Sequence, residues 1–110
     1  MLGNQIVLTP QFLESEPVFA GSGRHAGTRV FEDEEAKGFT LMQALSSEQQ
    51  AEATISKDLP MEVSAAAYRD NLTLRCQGTS FDHLVEEQRA LLLDLVNVCV
   101  GRIRPGHAEI

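Results

Sequence analysis

The residues in this chain best suited to acid–base work or metal binding are its three histidines, His25, His83 and His107. Each stands in a different segment, and no HxH or HExxH spacing joins them. His83 precedes Glu86 and Glu87 by three and four residues, the spacings that share one face of a helix, so His83 with Glu87 is a candidate pair of metal ligands. A metal site needs three or four ligands, and the others are not apparent nearby. An exposed histidine at a helix start is the plainer reading of His83. His107 follows Pro105-Gly106, at the end of a helix, where a pocket rim is a natural place for a ligand or a general acid/base. It is the candidate catalytic residue, and His107, His83 and Glu87 are together the candidate metal ligands. Which metal or cofactor, if any, is left open.

Other patterns carry less chemistry. Gly21-Ser22-Gly23-Arg24-His25-Ala26 fits the dinucleotide fingerprint GxGxx(G/A). That chemistry requires a strand before the glycines and a helix directly after them, whose N-terminus holds the pyrophosphate. Here Gly27-Thr28-Arg29-Val30 follows, which reads as extended, so a structural glycine-rich turn is expected and no cofactor is assigned to it. No lysine precedes Thr28 to make a phosphate loop. The carboxylates Glu14, Glu16, Glu32, Asp33, Glu34 and Glu35 are many, but a contiguous run points around a helix and not into one site. Cys76 and Cys99 make neither a CxxC pair nor a disulfide framework. Asn71-Leu72-Thr73 is a glycosylation sequon, which matters only in a secreted eukaryotic chain.

The elements that would position these residues follow from punctuation and periodicity. Gln5–Thr9 reads as a short strand ended by Pro10. Residues 11–28 are loop, broken by Pro17, Gly21, Gly23 and Gly27, and Thr28–Phe31 is a second candidate strand. Glu32-Asp33-Glu34-Glu35 opens a helix, since acidic residues suit the positive end of its dipole. Phe39, Met42 and Leu45 continue it at helical spacing, with Leu41 alongside, although Gly38 weakens it by about 1 kcal/mol relative to Ala. Ser47 and Gln50 have capping-box spacing for a second helix through Ala51, Ala53 and Ile55, stopped by Asp58-Leu59-Pro60. A short helix is expected over Glu62–Tyr68, and Leu72–Cys76 alternates as a strand closed by Gly78. Ser80 is placed to cap a last helix over about 81–103, stopped by Gly101, Pro105 and Gly106.

That last helix has polar residues in its first half, at Asp82, Glu86, Glu87 and Arg89. From Leu91 to Val100 only Asp94 and Asn97 are polar. A helix apolar almost all round must be covered on several sides, so it is expected to be the most buried element. The rest of the chain is short, acidic and rich in glycine, and can cover one face more easily than most of the circumference. The expected architecture is therefore α+β, with short strands and three to four helices, in a single partial domain spanning 1–110. Cover for the last helix would come from the remainder of the domain or from a second copy.

With 110 residues there is room for one ordinary domain. The formal net charge of −7 argues against phosphate-backbone binding and against anionic membrane surfaces. No stretch approaches the roughly 20 apolar residues of a membrane span, and Met1–Gln5 lacks the start of a signal peptide. A soluble chain is expected, with no nucleic-acid or membrane partner. With no Trp, one Tyr and five Phe, strong aromatic hot spots are not expected.

Several short segments also carry a resemblance. They are Val7-Leu8-Thr9-Pro10-Gln11-Phe12 and Ser15-Glu16-Pro17; Gly21-Ser22-Gly23 with Ala26-Gly27-Thr28-Arg29-Val30; and Asp33-Glu34 with Lys37-Gly38. Further along come Leu45-Ser46 with Glu48-Gln49, Asp70-Asn71, Gly78, Gln88 and Gly106-His107-Ala108. From about Ile6 to Ala108 the chain resembles the domain of unknown function 3500 family. The resemblance implies relatives several-fold longer, with a Trp- and His-containing segment before this region and His-rich segments after it. It thus implies an internal fragment or truncated member without a self-sufficient active site. His107 matches a family histidine, whereas His25 stands where another residue is expected. Two further readings stay open. One is a small self-associating interaction protein that uses the apolar helix 91–100. The other is the remnant of a His-containing, metal-dependent enzyme.

Overall fold

The computed structural model describes residues 13–58, 68, 71–103 and 106. The chain divides into two compact units, Met1–Glu32 and Asp33–Ile110. In the first, Phe19 and Arg29 form an isolated antiparallel bridge. The Val30 N–H donates to the Val18 carbonyl at 2.7 Å, and the Ala20 N–H to the Thr28 carbonyl at 2.9 Å. The glycine-rich segment between them is a double turn. The Ala26 N–H donates to the Gly23 carbonyl and the Thr28 N–H to the His25 carbonyl, at 3.1 and 3.0 Å. Gly23 and Gly27 take φ of 83° and 88°, a region costly for any residue with a Cβ.

Among the described residues three α-helices follow: α1 (Glu32–Ala44), α2 (Ser47–Ala53) and α3 (Glu86–Val100). A single 3-10 turn, Phe81–His83, precedes α3. Helices α1 and α3 run antiparallel, as three contacts along them show. Glu34 meets Arg102, Lys37 meets Asp94, and the Ala44 carbonyl meets the Gln88 amide. The inward stripe of α1 is Glu34, Lys37, Gly38, Leu41 and Leu45; Phe39, at the expected apolar spacing, is 63% exposed. Two charged residues, Glu34 and Lys37, thus stand on the half-buried edge of α1, paired with Arg102 and Asp94.

The expected α+β class is not observed. Among the described residues there is no strand or sheet, only the single bridge. Thr28–Phe31 contributes Arg29 to that bridge and then leaves extended geometry at Phe31, whose φ is 62°. Leu72–Cys76 lies exposed without regular structure. Alternation makes a segment fit for a sheet, but a strand forms only where another backbone accepts its hydrogen bonds, and no ladder forms here. The expected strand at Gln5–Thr9 lies outside the described residues, as does the expected helix at Glu62–Tyr68 apart from Tyr68.

The last helix is also neither as long nor as buried as its composition suggested. Ser80 caps the 3-10 turn by accepting from the Asp82 N–H; Leu84 and Val85 are then extended, and α3 starts at Glu86. The break drops Leu84 into the core, where it is 7% exposed. Arg89 secures the preceding turn, donating to the Phe81 and Asp82 carbonyls at 3.3 and 3.2 Å, with its guanidinium 5.1 Å from the Phe81 ring centroid. Within α3 the only buried residue is Gln88. Leu91, Leu92, Leu95 and Val98 are half-buried, whereas Leu93, Val96 and Val100 are 53%, 44% and 38% exposed. Among the described residues the buried apolar side chains are Leu45 and Leu84, and neither is fully enclosed.

Candidate functional site

The most constrained polar arrangement in the second unit is built on Gln49 and Gln88. Each is the third residue of its helix, and each reaches back to cap that helix's own start. The Gln49 Oε1 accepts from the Ser46 N–H at 2.9 Å, and the Gln88 Oε1 accepts from the Val85 N–H at 3.0 Å. These satisfy donors that a helix N-terminus otherwise leaves orphaned. Each amide nitrogen then crosses to the chain just before the other helix: Gln49 Nε2 donates to the His83 carbonyl at 2.9 Å, and Gln88 Nε2 to the Ala44 carbonyl at 2.8 Å. Finally the two amides pair face to face, at 3.1 Å and 2.9 Å. Every donor and both acceptor positions of each side-chain amide are in use. The surroundings also dictate which end is oxygen, because two backbone N–H groups demand acceptors and two carbonyls demand donors.

Neighbouring bonds extend the lock. Gln50 Nε2 donates to the Met42 and Leu45 carbonyls, both at 3.0 Å, closing the end of α1. The Thr79 hydroxyl lies within hydrogen-bond distance of the Gln49 carbonyl, at 3.1 Å, and of Glu52 Oε2, at 3.2 Å. The capping box at α2 is thus Ser46 with Gln49, one residue before the expected Ser47 with Gln50. The Ser-Ser-Glu-Gln-Gln run offers both frames. Gln49's partners across the fold, and Gln50's use at the end of α1, select the earlier one.

Chemically this arrangement binds helices to each other. Its amides neither titrate nor attack, and no hydrogen-bonding capacity is left over for a ligand. The residues singled out for catalysis or metal binding lie elsewhere. His83 is on the 3-10 turn, with its Nδ1 4.0 Å from Glu52 of α2, and both side chains are largely exposed. Glu87 is exposed in the first turn of α3. His107 lies outside the described residues. Among the described residues, no group of three or more His, Cys, Asp or Glu could hold a metal ion. The glycine segment with His25 is a hairpin turn, and the next helix begins at Glu32 with an acidic first turn. Cys76 and Cys99 are free and exposed.

The far end of the helix pair is held electrostatically. Arg102 meets Glu34 in a two-pronged contact at 2.9 and 2.8 Å. These hydrogen bonds hold the Glu34 carboxyl below its ordinary value and raise Arg102. Lys37 and Asp94 pair at 2.7 Å, but their exposure to water makes this contact worth little.

A family model described as "Protein of unknown function (DUF3500)" matches residues 1–110. The chain belongs to the DUF3500 family. No curated protein and no solved structure matches it. Leu45-Ser46, Glu48-Gln49 and Gln88, three of the segments that carry the resemblance in sequence, come together around the glutamine pair. Sequence reading missed that pair. The only signal was a glutamine at the third position of each helix, and periodicity placed the start of α3 several residues too early. No helix of the described residues is long and apolar enough to cross a membrane.

Proposed function

We propose that this DUF3500 chain is a non-catalytic part of a larger folded body, in which α1 and α3 form a helical hairpin that further polypeptide completes. One observation carries the reading. The outer face of α3 presents Leu93, Val96 and Val100 to water at i, i+3 and i+7 spacing, while only Leu45 and Leu84 are buried apolar residues among those described. A helix pair with so little interior gains little from hydrophobic burial, so cover on this face would add most of the missing stabilisation.

The same stripe favours a second reading, in which the cover is another copy of the chain docked along residues 91–100. Light scattering over a range of concentrations, with an apolar fluorescent dye as reporter, tests both. A monomer that binds the dye supports the incomplete hairpin, and concentration-dependent dimers with little dye binding support self-association. A stable monomer that binds no dye overturns both. A metal-dependent role through His107, with His83 and Glu87, has a separate test. Calorimetric titration of divalent metal should show binding that His107→Ala weakens; equal binding in both proteins removes that role.

A further inference from the structure

No further inference is drawn: the strongest candidate, the outward face of α3 formed by Leu93, Val96 and Val100, is the surface on which the proposed function already rests, and nothing in the structure shows what covers it.

Discussion

Gln88→Ala is the sharpest probe of how this helical unit holds together. Gln88 is 7% exposed, and its amide takes part in four hydrogen bonds between 2.8 and 3.1 Å. Truncation removes all four. It strands the Val85 N–H, the Ala44 carbonyl, and one donor and one acceptor on Gln49. A neutral hydrogen bond contributes about 0.5–1.5 kcal/mol net, and a buried group left unpaired costs about 1–3 kcal/mol. Water reaches the half-buried Gln49 and satisfies part of what is stranded, so the expected loss is about 2–4 kcal/mol. That is a large share of the roughly 5–15 kcal/mol that stabilises an ordinary domain. Urea denaturation followed by helical circular dichroism measures it. Gln49→Ala should cost a similar amount, and the double variant should cost less than the sum by about 1 kcal/mol or more, because both single variants break the same pair. Strict additivity, or a Gln88→Ala loss below about 0.5 kcal/mol, would refute the idea that the two amides act as one lock. Gln88→Glu adds a charge test. A carboxylate there faces the Ala44 carbonyl and Gln49 Oε1, acceptor against acceptor, so its folded pKa should rise and its deficit against the parent should shrink as pH falls.

Other expectations are simpler to check. A Cβ at Gly38 meets nothing within 4 Å, and φ there is ordinary, so Gly38→Ala should stabilise α1 by about 0.5–1 kcal/mol in thermal unfolding. Glu34's carboxyl is held below its ordinary value, so its contribution is fully present above about pH 4.3 and fades as pH falls through the lower folded value. A pH series of unfolding midpoints should show the gap between the parent and Glu34→Gln closing on the acid side. Leu95 is half-buried, so Leu95→Ala should cost about 1–2 kcal/mol by denaturation, below the range of roughly 2–5 kcal/mol for fully enclosed leucines. Leu93→Ser should leave monomer stability within about 0.5 kcal/mol while abolishing any concentration-dependent association seen by light scattering.

Local chemistry was legible where it is decided locally. The acidic run at Glu32–Glu35 marks the start of α1, and the Ser/Gln pattern marks a helix near 47. The glycines of residues 21–27 form a turn, and the family resemblance holds along the chain. What failed depended on partners. The inward side of α1 includes Glu34 and Lys37, which hydrophobic patterning places outside; there they meet Arg102 and Asp94, partners that sequence spacing does not reveal. The break at Leu84-Val85 contains neither Pro nor Gly. It exists because Gln88 caps Val85 while Arg89 grips the preceding turn, contacts that arise only once the fold is made. Leu72–Cys76 alternates as a strand should, but lacks a backbone to pair with among the described residues. Of the site residues, His83 has only a distant carboxylate neighbour, at 4.0 Å, and no side-chain spacing foretold that Gln49 and Gln88 would meet.

The reciprocal amides also bear on motion. Each glutamine seals its own helix start with the oxygen and uses its nitrogen to seal the chain beside the other, although the two stand 39 residues apart in sequence. Fraying of the first turn of α2 therefore strips a partner from the first turn of α3, and the reverse holds equally. Helix ends ordinarily loosen one at a time, but reciprocal capping should couple the opening of these two, so their early amide protons should exchange with solvent at matched rates.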